Sequence, residues 1–213
     1  MPDWSFCDLI IIENTNNAFE NDYLSTITSN INPLAAEDDI FISALNNNIY
    51  DVNKDTTRMI LVDLEREYGN YFNKQRPDNL NDKNSKGLYY WTLEHIMPQT
   101  IKQGSIWEKN LIEKYGVKEK DQLFLDNVHK LGNLTLTGYN TELSNNEFVD
   151  KRDYKDPKIG TFEGLRTPLF LNESIANIKL NQSINEKDSW TIDDINRRNE
   201  VLINKVVEIY TLD

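Results

Sequence analysis

The pairing of an acid with a histidine at Glu94 and His95 is the feature of this sequence best suited to chemistry. A neutral imidazole can accept a proton from water near pH 7, since its unperturbed pKa is about 6.5. A carboxylate beside it, joined by an amide oxygen, suits Mg²⁺, a hard cation that keeps several of its waters. The pair therefore indicates hydrolysis by water, with His95 as general base and a metal ion close by. A histidine that is merely packed or solvated is the alternative.

Asparagines that could complete such a site follow later in the chain. Asn133 lies in the stretch Leu-Gly-Asn-Leu-Thr-Leu, and Asn140 and Asn145 come soon after it. Their amide oxygens are acceptable ligands for a hard cation. Taken singly, the Gly-Asn-Leu sequence also fits a turn that enters a strand, and the asparagines at 145 and 146 also fit a solvated helix face. The order of the two stretches, the acid–histidine pair first and the asparagines after it, favours one site that both contribute to.

The elements that must position these residues are two strands and a helix. Aromatic and aliphatic residues at 88–93 predict a strand that leads directly into the acid–histidine pair. Residues 131–137 predict a second strand, and helical spacing resumes over 139–151. Strand, loop, strand and helix are the parts of a ββα metal site, in which the helix returns a ligand to the end of the first strand. The predicted fold class is therefore α+β, predominantly helical, with an embedded ββα-metal unit.

The remaining sequence predicts mostly helices around that unit. Helical signals occur over 19–31, 38–45 and 55–68, with Gly69 as a stop, and over 105–115 within an insertion at 100–130. A final helix should follow Trp190. Three regions result: a helical region at 1–85, a ββα core at 86–155 with its insertion, and a helical extension at 156–213 that packs on the core.

Composition excludes several classes of protein. The chain has 213 residues, 38% of them hydrophobic and 27% charged, as in soluble globular proteins. Its longest aliphatic runs, at 9–12 and 59–62, are too short to span a bilayer, and no export signal is visible, so a cytoplasmic protein without membrane contact is expected. A single cysteine, Cys7, excludes an internal disulfide and a cysteine-cluster zinc site. Neither H-E-x-x-H nor a P-loop occurs, which disfavours a zinc protease and a P-loop NTPase.

The net charge of −12 argues against tight DNA binding by this chain alone. Affinity for nucleic acid comes mainly from Lys and Arg that neutralise phosphates. Two explanations remain compatible with a DNA substrate: basic residues clustered locally, or DNA affinity supplied by a separate domain or partner. Negative charge also concentrates divalent cations.

The sequence Glu-His-Ile-Met-Pro-Gln at 94–99 resembles the E-H-I-x-P-Q signature of GmrSD-type HNH (His-Me finger) endonucleases. The block Lys-Leu-Gly-Asn-Leu-Thr-Leu at 130–136 resembles the second motif of that family, together with Asn140, Leu-Ser-Asn at 143–145, Phe148 and Lys151. Trp190 and Ile-Asn-Arg-Arg at 195–198 are similar to its C-terminal signature. The resemblance covers residues 57–212.

This resemblance implies a divalent-metal-dependent DNA endonuclease domain of a restriction and phage-defence system. DNA, specifically modified phage DNA, would be the substrate, and Mg²⁺ or Mn²⁺ the cofactor. The usual N-terminal half of these proteins binds nucleotides and carries a D-G-Q-Q-R-type motif, which is absent here. The chain therefore corresponds to the nuclease half, and an NTP-binding specificity domain or subunit, fused or separate, is the expected partner. The rival interpretation is a catalytically decayed helical docking or regulatory module for that partner.

The resemblance also implies a role for each matched residue. His95 would be the general base, Glu94 a catalytic residue that binds the metal directly or through water, and Asn140 the second metal ligand, with Asn145 as substitute. Asn133 would orient the loop that carries His95 through side-chain hydrogen bonds. Contacts to DNA phosphates are expected from four basic residues: Lys151, Arg152, Arg197 and Arg198. Salt bridges on an acidic surface are an equally good interpretation of these residues.

Overall fold

The computed structural model describes residues 38–176 and 183–210. Over these residues the fold is α+β and mostly helical, with one small two-stranded sheet. The predicted fold class is confirmed at that level, while an HNH-type ββα-metal unit stays a prediction. The helix predicted at 19–31 lies outside the described residues. None of the helices in the described ranges is long and apolar enough to cross a membrane.

Three helices open the described part of the chain, α1 (Asp38–Asn46), α2 (Ile49–Val52) and α3 (Lys54–Tyr68). The cap of α3 is Asn53, whose side chain accepts a hydrogen bond from the Thr56 N–H. Helix α3 therefore begins one residue before the predicted range of 55–68. Gly69 ends the helix as predicted, and its N–H bonds the carbonyl of Glu65.

The sheet consists of β1 (Thr92–His95) and β2 (Leu134–Thr137), paired antiparallel with His95 opposite Leu134. The first strand starts later than predicted and contains the acid–histidine pair instead of leading into it. A 3₁₀ turn at Leu131–Asn133 replaces the start of the predicted second strand. Successive side chains of a strand point to opposite faces, so Glu94 and His95 do not project to the same side.

Short helices fill the connections. The insertion contains α4 (Ile106–Tyr115), close to the helix predicted at 105–115 and capped by Ser105, and α5 (Lys120–Leu125). After β2 the predicted single helix is interrupted: the chain forms α6 (Asn140–Leu143) and then α7 (Phe148–Asp153). Ser144, with φ of 39°, lies in the left-handed region between them and breaks the helical path. The described chain ends with two more helices, α8 (Phe170–Ala176) and α9 (Ile192–Tyr210).

Two apolar cores contact the sheet region. The first core joins α3, both strands and α9, and includes Leu61, Leu64, Leu134, Leu136 and Leu202. The second core joins the residues after β1 to α4, α7 and the start of α9, and includes Ile96, Met97, Trp107, Phe148 and Trp190. From Asp38 onward the chain clusters as one compact unit, which includes residues from each of the three predicted regions. The three-region division itself stays a prediction.

Helix α9 holds the 3₁₀ turn in place. Arg198, fully buried, donates hydrogen bonds to the carbonyls of Gly132 and Leu134, each at 2.8 Å. The Gly132 N–H in turn donates to the side chain of Asn199 at 2.9 Å. At this crossing a Cβ on Gly132 would collide with the backbone oxygen of Ile195, so glycine permits the close approach. The turn that leads into β2 is thereby fixed from one side.

Candidate functional site

The side chains of the two histidines of this chain meet at the end of β1. His95 Nε2 and His129 Nδ1 are 3.1 Å apart, a hydrogen-bond distance. Tyr50, on α2, lies against both rings: it stacks on His129 with centroids 5.2 Å apart and meets His95 edge to face at 4.6 Å. The Tyr50 N–H also donates to the carbonyl of His129. Strand β1, the insertion and α2 therefore each contribute one ring to a cluster in which His95 is buried and the other two rings are partly buried.

Burial determines the charge state of this cluster. His95 is only 5% exposed. Burial lowers its pKa to about 3, and the positive charges at His129, Lys151 and Lys54 act in the same direction. Burial also lowers the pKa of His129, although the carboxylate of Asp51, 3.6 Å from His129 Nε2, opposes the shift. Both imidazoles are thus neutral near pH 7, and the pKa of His95 lies well below its unperturbed value.

Glu94 projects away from His95 and pairs with Lys151 of α7. The Lys151 ammonium donates to Glu94 Oε1 at 2.6 Å and to the backbone carbonyl of His95 at 2.6 Å, and both side chains are buried. Burial raises the pKa of Glu94 to about 7, which the ammonium of Lys151 counteracts. The ion pair anchors the backbone of His95 from the face opposite its imidazole.

Asn133 makes the side-chain hydrogen bonds that the sequence predicts for it. Its Oδ1 accepts from the Met97 N–H at 2.8 Å, and its Nδ2 donates to the Met97 carbonyl at 2.9 Å and to the Val128 carbonyl at 2.8 Å. The indole N–H of Trp190 donates to the same Oδ1. Asn133 therefore ties the loop after His95 to the segment that carries His129. Its part in catalysis stays a prediction.

Asn140 and Asn145 are both exposed, and Asn140 contacts β1. Asn140 is the first residue of α6, as expected, and its Nδ2 donates to the carbonyl of Leu93, which leaves its Oδ1 outside that bond. Asn145 lies exposed in the turn between α6 and α7. Of the two, Asn140 is the one that the structure connects to the strand of His95.

The donor groups fit the predicted metal site only in part. Glu94 does not fit as a ligand, because Lys151 already occupies its carboxylate and the carboxylate faces away from the His95 ring. The amide oxygen of Asn140 has the chemistry and the exposure that a hydrated hard cation requires. In the described ranges no three His, Cys, Asp or Glu side chains are grouped as metal ligands would be.

The four predicted phosphate contacts are in part incompatible with the structure. Lys151 and Arg198 are fully buried, so neither side chain can reach a phosphate in this arrangement. Arg152 is also buried, and it bonds to Asp153 and to the carbonyl of Lys187. Arg197, the most exposed of the four, pairs with Asp194 at 2.9 Å. The alternative of salt bridges on an acidic surface fits only Arg197, because the bonds of Lys151, Arg152 and Arg198 are internal.

Sequence reasoning missed the part that His129 and α2 play. His129 falls in the insertion, and nothing in local spacing connects it with Tyr50 or Asp51. One signal was available, since the chain has only two histidines and the second precedes the Leu-Gly-Asn-Leu block by two residues. A histidine next to a candidate site block is a natural partner for the first.

Comparison with known families identifies the chain. The family model for the GmrSD restriction endonucleases, C-terminal domain, matches residues 35–205, most of the sequence. The chain therefore belongs to this family, and membership implies the function of a restriction endonuclease. No curated protein matches the sequence significantly. No solved structure matches it significantly either.

Proposed function

We propose that this member of the GmrSD C-terminal domain family is a DNA endonuclease domain that hydrolyses phosphodiester bonds with His95 as general base. The observation that carries the proposal is the contact between the buried His95 and the partly exposed His129. His95 is held neutral at the end of β1, and among the described residues no group forms a hydrogen bond with its Nδ1. A neutral imidazole with an unoccupied nitrogen is the form that can accept a proton from water.

The low pKa of His95 favours neutrality but also reduces basicity. Approach of a DNA phosphate would raise that pKa, because a nearby negative charge stabilises the imidazolium. The substrate itself would then bring the base closer to the pKa that proton transfer near pH 7 requires. Lys151 keeps the His95 backbone in place, and Asn133 holds the loop that follows it.

A divalent cation, Mg²⁺ or Mn²⁺, is the cofactor that the family resemblance implies. Such a cation would stabilise charge on the leaving oxygen. Asn140 is the residue of the predicted set that would hold it, with Asn145 next to it in the chain. Glu94 is assigned instead to the ion pair with Lys151. EDTA should stop the reaction, and Mg²⁺ or Mn²⁺ should restore it.

Target selection is assigned to an NTP-binding specificity domain or subunit, with modified phage DNA as the substrate. The charge distribution supports this division. The net charge is −12, and the two basic residues best placed by the sequence motifs, Lys151 and Arg198, are buried. Lys151 and Arg198 are therefore not available to neutralise phosphates.

The experiment that tests the base is cleavage of plasmid DNA with Mg²⁺ or Mn²⁺, with and without the specificity partner. His95→Ala should lower the rate by about 10²–10⁴-fold, the usual loss when a general base is removed. Thr92→Ala, a change at the other end of the same strand, is the control and should cleave like the wild type. Circular dichroism and thermal unfolding would verify that both variants are folded.

Two results would contradict the assignment. Cleavage by folded His95→Ala at the wild-type rate would remove His95 from the chemistry. A wild-type protein that binds its partner but cuts no DNA under any of these conditions would favour the decayed docking module.

A further inference from the structure

We propose that His129 is a positioning residue that fixes the tautomer of His95, with the ring proton on Nε2 and the basic lone pair on Nδ1. The inference rests on the proposed function of His95 as general base. Its starting point is the 3.1 Å contact between His95 Nε2 and His129 Nδ1, two residues far apart in sequence. Through this contact, His129 determines which nitrogen of His95 faces the nucleophilic water.

A hydrogen bond between two neutral imidazoles has one donor and one acceptor, so only two arrangements exist. If His129 donates from its Nδ1, His95 Nε2 must be the acceptor. The single proton of His95 then lies on its own Nδ1, which can no longer act as a base. If His95 donates from Nε2, its Nδ1 keeps a free lone pair. Only the second arrangement leaves a base.

The carboxylate of Asp51 selects the second arrangement. Its Oδ1 lies 3.6 Å from His129 Nε2, and a negative charge there favours a proton on that nitrogen. With its proton on Nε2, His129 presents a bare Nδ1 that can only accept. The chain Asp51–His129–His95 thus transmits a preference for one tautomer from an exposed carboxylate to the buried base.

Tyr50 keeps the two rings in register. Its ring is nearly parallel to that of His129, at an interplanar angle of 7°, and nearly perpendicular to that of His95, at 82°. Its backbone N–H donates to the His129 carbonyl at 3.3 Å. Asp51 is the next residue on the same short helix, so α2 positions both the ring that packs on His129 and the charge that orients it.

Two substitutions separate a positioning role from simple packing. His129→Phe keeps an aromatic ring for Tyr50 but removes the acceptor for His95. His129→Asn loses the stacked ring but retains an acceptor oxygen near the position of Nδ1. A residue that only packs would tolerate Phe better than Asn, whereas a positioning residue would tolerate Asn better than Phe.

The first readout is the tautomer of His95, measured by long-range ¹H–¹⁵N correlation of the ring nitrogens in the folded protein. Each His129 variant retains a single histidine, which makes the assignment direct. The wild type and His129→Asn should show the proton on Nε2, and His129→Phe a mixture of tautomers. Asp51→Asn, a change at an exposed side chain, should lower the population of the Nε2-protonated tautomer of both His129 and His95. A wild-type proton on Nδ1 of His95 would overturn the proposal.

The second readout is DNA cleavage. His129→Phe should lower kcat by about 10–100-fold with little change in KM, the range typical when a hydrogen-bonded support of a functional group is lost. His129→Asn should recover most of that loss. Wild-type kcat in folded His129→Phe, alongside inactive His95→Ala, would overturn the positioning role alone. Wild-type kcat in His95→Ala would overturn the proposed base, while the tautomer measurement would still decide whether His129 orients His95.

Discussion

Neighbouring residues of the sequence motif have different tasks because they occupy a strand. Glu94 and His95 point to opposite faces, so the acid contacts Lys151 and the histidine contacts His129 and Tyr50. Two adjacent residues of the motif thus belong to two different side-chain clusters, one on each face of β1. The imidazole side carries the proposed chemistry, and the carboxylate side secures the strand through Lys151.

The ion pair of Glu94 and Lys151 should be strongly coupled. Glu94→Gln and Lys151→Met should each lower the free energy of unfolding by about 3–5 kcal/mol, because each leaves a buried group without its partner. The loss of unfolding free energy in the double variant should be smaller, by at least about 1 kcal/mol, than the sum of the losses in the two single variants. Denaturant unfolding of the four proteins measures this.

The pair Arg66–Asp78 provides the matched control. It has the same 2.6 Å separation, but its side chains are 42% and 35% exposed. Arg66→Met and Asp78→Asn should each change the free energy of unfolding by no more than about 1 kcal/mol. Equal losses in the buried and exposed pairs would show that burial does not determine the strength of the Glu94–Lys151 contact.

At the scale of elements, the site depends on where helices cross the turn before β2. Helix α9 approaches Gly132 closely and inserts Arg198 beneath it. Helix α3 supports α8 in a similar way, since Glu65 accepts hydrogen bonds from the N–H groups of Phe170 and Leu171. These contacts link distant segments around the sheet.

Gly132→Ala should destabilise the protein by at least about 1–3 kcal/mol, because the new Cβ meets the backbone of α9, which cannot move aside as a side chain could. Gly138→Ala is the control at the other end of β2, where a Cβ would lie 3.6 Å from the Tyr90 carbonyl, an ordinary contact. That variant should stay within about 0.5 kcal/mol of the wild type in thermal or denaturant unfolding. Similar stability of the two variants would disprove the close crossing.

Glu65 should make stability depend on pH. Burial raises its pKa to about 7 from 4.5, with the N–H groups of α8 opposing the shift. A carboxyl with a raised folded-state pKa stabilises the fold fully below about pH 4.5 and loses that contribution as pH rises through 7. The loss would reach about 3 kcal/mol for a shift of this size.

Glu65→Gln should therefore gain stability relative to the wild type between pH 5 and pH 8. Comparing the two proteins by denaturant unfolding at each pH cancels the titration of other groups. Glu67→Gln, on the exposed face of the same helix, is the matched control. A constant difference between Glu65→Gln and the wild type across this range would contradict the raised pKa.

For the whole molecule, charge determines what the chain can do alone. With a net charge of −12, it should bind duplex DNA weakly, with affinity that falls steeply as salt increases. Modified and unmodified duplexes of one sequence should bind equally, because discrimination requires contacts to base edges. Titrations of both duplexes at several salt concentrations test this.

Addition of the NTP-binding partner should raise both affinity and selectivity, since it brings the nuclease to DNA at high effective concentration. The informative comparison is the same titration with and without that partner. Tight, salt-resistant and modification-selective binding by this chain alone would place the recognition function within its own residues.

The sequence by itself determined the class of fold, the family and the presence of a strand next to Glu94 and His95, although the bounds of that strand differ. It also determined local features such as the helix at about 105–115 and the stop at Gly69. These follow from hydrophobic period, capping chemistry and motif order, which act over a few residues. The resemblance of residues 130–136 to the second family motif also implied that the Asn133 side chain would hydrogen-bond the loop after His95.

The tertiary structure alone decided which side chains meet. Local spacing does not bring His129 to His95, because their contact depends on how the insertion and α2 fold back onto β1. Nor does it bury Lys151 and Arg198, whose positive charge suggested a surface facing DNA. Burial and pairing are properties of the assembled cores, where desolvation and long-range hydrogen bonds outweigh the preference of a charged residue for water.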